Sequence, residues 1–203
     1  SVNNGVGISN LEEINDLDIQ TVSNRLWMST NRNIYGGSYG GRFWYSDDAT
    51  TFTRATPNFP NLTGGIDAIS YRRTEIAPSH IDTDTHYVLV QTTTTSATAD
   101  SGGRLPLLFK TTDNFTNLTL LNTPDDIGTD MPDNDFTRGQ HGYDLELEID
   151  PTSNDIIYVG GINWHRSQNG GTSWSQISKW TTPWYGYGGL NTSIVHADMH
   201  GLY

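Results

Sequence analysis

A β-propeller of four-stranded sheets is the fold this sequence predicts, on three observations. First, short runs of β-branched and aromatic residues recur: Leu26-Trp27-Met28, Tyr87-Val88-Leu89-Val90 and Ile156-Ile157-Tyr158-Val159. Second, each run leads through a loop or break to another strand and then to a tight polar turn. These units repeat about every sixty residues, which suits a four-stranded blade with long loops and not a helical repeat. Third, no stretch carries the apolar periodicity of a three-turn amphipathic helix. Composition agrees, since 21 glycines and only 17% charged residues suit short strands joined by many turns.

The repeat is most legible from Asp150 to Ile177. Asn154-Asp155 reads as a polar turn, Ile156 to Val159 as a strand, Gly160-Gly161 as a break and Ile162 to Arg166 as the next strand. Then comes Ser167-x-Asn169-x-Gly171-x-Ser173-Trp174. In such a turn Asn169 accepts backbone N–H groups further along the chain. Gly171 takes a positive φ without a Cβ penalty. Ser173 satisfies another local group, and Trp174 is expected to fold its ring under the turn, largely buried.

The first unit runs through Asp16 to Ile19, a turn at Ser23-Asn24, Leu26 to Ser29, a glycine-rich connection, and Arg42 to Tyr45. Its turn is expected at Tyr45-x-Asp47-x-Ala49-x-Thr51-Phe52, with Asp47 and Phe52 as counterparts of Asn169 and Trp174. The second unit has Thr74 to Pro78, Tyr87 to Val90, a Thr/Ser/Gly loop, Leu107 to Lys110, and the turn Thr111-x-Asp113-x-Phe115-x-Asn117-Leu118. Asp113 and Leu118 are the counterparts there, and Phe115 stands where glycine is expected. A third unit opens at Tyr143, and a fourth at Ile194, with Val195 to Asp198 continuing its strand. The units fall at about 14–68, 69–140, 141–193 and 194–203. Three such units and the start of another do not close a ring, so further blades are expected in a longer parent chain.

The third turn resembles the Asp-box, S-x-D-x-G-x-[T/S]-W, of bacterial neuraminidase and sortilin-like β-propellers, with Asn169 in place of the usual aspartate. A longer pattern joins Tyr143-Asp144-Leu145, Asp150-Pro151, Tyr158-Val159-Gly160-Gly161, Arg166-Ser167, the turn, and Val195-His196-Ala197-Asp198-Met199-His200. It resembles the Asp-box propellers of large secreted bacterial proteins exported by the type IX secretion system, closely over about 139–202 and loosely before. The resemblance implies a secreted or cell-surface location and transient contact with the type IX machinery. It also implies a binding, adhesion or scaffold role, with a glycan or a surface protein as partner, and assigns the box residues a structural role without catalysis.

Three groups of residues could carry chemistry. His196, Asp198 and His200 alternate, so a strand would set all three on one face. Such a set either binds zinc or a similar metal or hydrogen-bonds neighbouring inner strands. The acidic loop with Asp125, Asp126, Asp130, Asp133 and Asp135 offers oxygen ligands to calcium, the one cofactor considered, or is a solvated loop. Trp180, Trp184, Tyr185 and Tyr187 crowd a glycine-rich connection, either as a platform for sugar or peptide or as packing at a blade edge.

The rival function is a secreted glycoside hydrolase of the same propeller type, which needs two carboxylates facing one cleft. Asp144, Glu146 and Glu148 lie on one expected inner strand. An Arg-Ile-Pro signature and a three-arginine clamp, which a sialidase would show, do not occur, and no catalytic residue is assigned. The formal charge of −12 argues against a nucleic-acid groove. No apolar run is long enough to span a membrane. With no cysteine, disulfides contribute nothing.

Overall fold

The computed structural model describes residues 12–32, 41–60, 71–92, 105–132, 134–181, 184–197, 199 and 201. Among them, regular structure is all strand apart from one short 3-10 turn at Tyr187–Gly189. The first sheet is β1 (Glu12–Gln20), β2 (Arg25–Arg32), β3 (Phe43–Ser46) and β4 (Thr53–Ala55). The second is β5 (Tyr71–Pro78), β6 (Thr85–Thr92), β7 (Pro106–Thr112) and β8 (Thr119–Leu121). The third is β9 (Glu146–Asp150), β10 (Ser153–Gly160), β11 (Trp164–Ser167) and β12 (Ser175–Gln176). Each is an antiparallel meander in chain order. A parallel pair, β13 (Ser178–Lys179) with β14 (Ser193–Ile194), follows. No helix among the described residues is long and apolar enough to cross a membrane.

The sheets stack face to face, and the middle one shows it most directly. β6 is buried along its whole length, so it reads as a near-continuous apolar run and not as an alternating one. Its Val88 and Val90 join Trp27, Phe43, Ile76, Phe109, Phe115 and Leu118 in a core shared with the first sheet. Its Tyr87 and Leu89 point the other way, into a core with Leu145, Leu147, Ile149, Ile157 and Val159 around the third sheet. Each fully buried Leu or Val contributes about 1.5–3 kcal/mol. The third sheet alternates as a strand with two unlike faces should. Leu147, Ile149, Ile157 and Val159 are buried, while Glu146, Glu148 and Tyr158 between them are half-buried. On the far face of the first sheet, Met28, Trp44 and Phe52 form a smaller cluster.

The third strand of every sheet reaches the fourth through a polar turn of one design. In the third turn Asn169 Oδ1 accepts from the Ser173 N–H at 2.9 Å and from Ser167 Oγ at 3.0 Å. In the second, Asp113 Oδ1 accepts from the N–H groups of Thr116 and Asn117 and from Thr111 Oγ1. Two successive left-handed residues follow in both: Gly170 and Gly171 at φ 66° and 85°, Asn114 and Phe115 at 53° and 62°. Phe115 thus bears a backbone strain that glycine would not, and its ring is held in the core between the first two sheets. The first turn is one residue shorter, with only Ala49 left-handed.

That shorter turn corrects the expectation for Asp47. The acceptor is Asp48, whose Oδ1 takes the Thr50 and Thr51 N–H groups at 2.8 and 2.7 Å and Ser46 Oγ at 3.0 Å. Asp47 instead forms a two-point pair with Arg25 on β2. Phe52 and Leu118 are buried as expected. Trp174 is only half-buried. It packs against the second core and donates its indole N–H to the Asn122 carbonyl at 2.9 Å, so it ties its turn to the exit of the preceding sheet. The Asn117 turn is tied in the same way to Asn58.

Two element boundaries also differ from expectation. Asn154 and Asp155 lie inside β10, and the turn before it is Asp150–Pro151–Thr152, capped by the Asp150 carboxylate on the Thr152 N–H. The fourth unit's strand is Ser193–Ile194 alone, and residues 195–197 are not in a strand.

Candidate functional site

The aromatic group after the third sheet divides in two. Tyr187 is fully buried and anchors the segment. Its hydroxyl donates to Asp126 Oδ1 at 2.8 Å and accepts from Asn163 Nδ2 at 3.1 Å. Asp126 also accepts from the Gly128 N–H and from Asn163, and His165 Nε2 stands 3.7 Å from its Oδ2. Burial pushes the Tyr187 hydroxyl's pKa up and the His165 imidazole's down, so both are neutral at pH 7. This network fixes the loop from 125 to 131 beneath the aromatic segment. Above it, Trp180 and Tyr185 stack with ring centres 5.3 Å apart and planes 27° apart. Tyr185 is 45% exposed, Trp184 67%, and the Tyr185 carbonyl is pinned by the Thr129 N–H at 2.8 Å. Large exposed rings on a fixed backbone bind at small entropic cost.

The metal candidates fare differently. His196 is exposed just beyond β14, while Asp198 and His200 lie outside the described residues, as does Asp133. Asp135 is buried and its carboxylate is occupied by donors from its own loop, the N–H groups of Thr137 and Gly139 and the Thr137 hydroxyl. Asp130 pairs with Arg138 at 2.9 Å. Among the described residues no group of three or more His, Cys, Asp or Glu side chains is placed to hold a metal ion.

A charged cluster lies where the first strands of the three sheets run side by side. β1 brings Asp16 and Asp18, β5 brings Arg73 and Glu75, and β9 brings Glu146 and Glu148. Of these only Glu146 and Glu148 were singled out from sequence. A signal was present: an acid recurs at one register position of the three repeats, Asp16, Glu75 and Glu146, opposite Ser29, Leu89 and Gly160. Arg73 Nε donates to Glu75 Oε1 at 2.8 Å, and its Nη2 stands 3.7 Å from Glu146 Oε1. Asp16 Oδ2 accepts from the Ile76 N–H, and Asn15 Nδ2 donates to Glu75.

Five carboxylates gather here, three of them (Asp16, Glu75 and Glu146) interacting with the Arg73 guanidinium, and burial dominates their behaviour. It raises Asp16 to about 6, with the Ile76 N–H opposing it. Glu146 is raised to about 7 and Glu148 to about 8, and Asp18 and Glu75 also move up. A glycosidase pair needs one carboxyl kept protonated and its partner ionised. Here all shift the same way, as in a cluster that retains protons.

That cluster predicts a pH dependence. The folded-state pKa values of Glu146 and Glu148 lie above the ordinary 4.5, so their stabilising effect is complete below 4.5 and is lost as pH rises through about 7 and 8. Buried His86, held down to about 4, and His165 act oppositely, but only below their ordinary 6.5. From pH 6.5 to 8 only the carboxylates act, so stability falls over that window, by roughly 1–2 kcal/mol after solvent screening. Urea unfolding across this range measures it. The fall should flatten in Glu146→Gln/Glu148→Gln, and an unchanged slope in that variant would refute the assignment.

No protein-family model and no curated protein matches the chain. Solved structures do match it. A GH74 enzyme of Niastella koreensis superposes with a TM-score of 0.54 at 15% identity, over 83% of this chain and 24% of that one. YCF48 of Cyanidioschyzon merolae gives 0.54 at 12% identity, over 87% of this chain and 43% of that one. The GH74 xyloglucanase of Xanthomonas campestris gives 0.51 at 15% identity, over 84% and 21%. The chain therefore spans less than half the length of each of these structures. Together with three meander sheets stacked face to face, these likenesses establish its fold as a β-propeller.

Proposed function

We propose that the chain is a non-catalytic propeller segment of a secreted or cell-surface bacterial multidomain protein, serving as a binding, adhesion or scaffold module. Its polar turns act as Asp-box staples, and its export resembles that of type IX substrates, with the secretion machinery as a transient partner. The observation that carries a binding role is the aromatic platform: Trp180 stacked on Tyr185, Trp184 two-thirds exposed, and the buried Tyr187–Asp126 bond beneath. Flat apolar faces beside polar backbone suit a glycan or a surface protein.

The rival is a glycoside hydrolase, supported by two GH74 enzymes among the similar folds. A glycan array followed by a hydrolysis assay on each hit separates the two. Trp184→Ala and Tyr185→Ala should each weaken binding by about tenfold or more, as aromatic hot spots do, without changing the circular dichroism spectrum. Turnover that disappears in Glu146→Gln would overturn the binding-module reading. Binding that survives both aromatic substitutions would remove the platform from it.

A further inference from the structure

We infer that Asn169–Gly170 is a deamidation site that the folded turn guards, and whose normal aspartate product the same turn is built to hold. Glycine after asparagine puts no side chain in the way of the main-chain nitrogen. Once hydroxide takes its proton, Gly170 N bonds to Asn169 Cγ, the Cγ–Nδ2 bond breaks, and ammonia leaves. Water then opens the resulting succinimide. Attack at Cγ restores the normal backbone and leaves an aspartate, whereas attack at the main-chain carbonyl gives isoaspartate with an extra methylene in the backbone.

The folded turn holds both reacting groups. The Gly170 N–H donates to the Asp155 carbonyl at 2.9 Å. Asn169 Oδ1 accepts from Ser173 N and Ser167 Oγ, and its Nδ2 donates to Ser173 Oγ at 2.8 Å. Asn169 is exposed, so hydroxide and water reach it. What prevents attack is this set of bonds, and the reaction must pass through local opening of the turn.

The second sheet shows how the product would sit. There Asp113 occupies the matching place and accepts from the Thr116 and Asn117 N–H groups, Thr111 Oγ1 and Asn117 Nδ2. The amide after it, Asn114 N–H, donates to the Asp84 carbonyl as Gly170 does to that of Asp155. These hydrogen bonds, the Asn117 N–H first, hold the Asp113 carboxyl well below its ordinary range. At position 169 the Ser173 hydroxyl need only rotate to donate instead of accept. Isoaspartate would lengthen the chain between two left-handed residues and the strand, and would break the pattern.

The test uses the whole chain in mildly alkaline buffer, folded and in concentrated urea, with peptide mapping by mass spectrometry. Conversion at 169 should be slower in the folded chain by about tenfold or more. Asn169→Asp should fold and unfold at a higher urea midpoint than the unsubstituted chain. Equal rates in the two states would show that the turn guards nothing. Absence of conversion in urea would remove the site, and a lower midpoint for Asn169→Asp would refute the fit of the product.

Discussion

Arg73→Met will lower stability by about 3–5 kcal/mol in alkaline buffer and by clearly less in acid. The guanidinium is 13% exposed and the Glu75 side chain 4%. Arg73 joins the second and third sheets by donating to Glu75 and to the Tyr143 and Leu145 carbonyls, at 2.8, 2.5 and 2.9 Å. Methionine keeps the apolar stem and removes the charge and all three bonds. At high pH the carboxylates of β1, β5 and β9 are then left without their cation in a buried place. In acid they are protonated, and the loss shrinks toward that of the hydrogen bonds alone. Urea unfolding at both pH values measures the difference, and Glu75→Gln in the same chain should recover part of the alkaline loss. An equal loss at both pH values would show that Arg73 acts through packing and not through charge.

The second large effect is in the core between the first two sheets. Trp27→Ala should cost about 3–5 kcal/mol. Trp27 is 1% exposed and sits among His86, Phe115 and Tyr45, with ring centres 4.5, 5.1 and 5.5 Å away. Those neighbours come from three sheet segments and cannot all close on the vacated volume, so a cavity remains. Trp27→Phe should recover more than half of the loss. Phenylalanine keeps most of the apolar contact, and the indole N–H it removes is buried with no hydrogen-bond partner among the described residues. Because the ring joins two sheets, the alanine variant should also broaden the urea transition as the first sheet loosens separately. A loss below about 1 kcal/mol would mean that the two sheets are held together elsewhere.

The run Tyr87-Val88-Leu89-Val90 announced a strand, and its lack of alternation is what a strand covered on both faces shows. The polar turns announced themselves through Ser, Asn, Asp and Gly at fixed offsets, because their bonds span only a few residues. The offset failed at Asp47. Counting back from Phe52 lands on Asp47, but the turn is one residue shorter, and the hydroxyl two residues before the acceptor, Ser46 as in Ser167 and Thr111, marks Asp48. Trp174 was misjudged because its cover comes from the preceding sheet, through Asn122, and not from its own turn. Tyr187 could not be told apart from Trp180, Trp184 and Tyr185 because its partner Asp126 lies sixty-one residues away in sequence.

The sequence alone determined what depends on near neighbours along the chain: the strands, the turns between them, the repeat of units and the all-β class. Backbone hydrogen bonding and side-chain alternation act over a few residues, so their imprint survives in a linear reading. Only the tertiary structure decided which aromatic rings are displayed and which are anchors. It also showed that Asp16, Asp18, Glu75, Glu146 and Glu148 gather where β1, β5 and β9 run side by side and keep protons that isolated carboxylates would release. Burial and Coulomb interaction depend on distance in space, and three inner strands far apart in sequence meet only when the sheets stack.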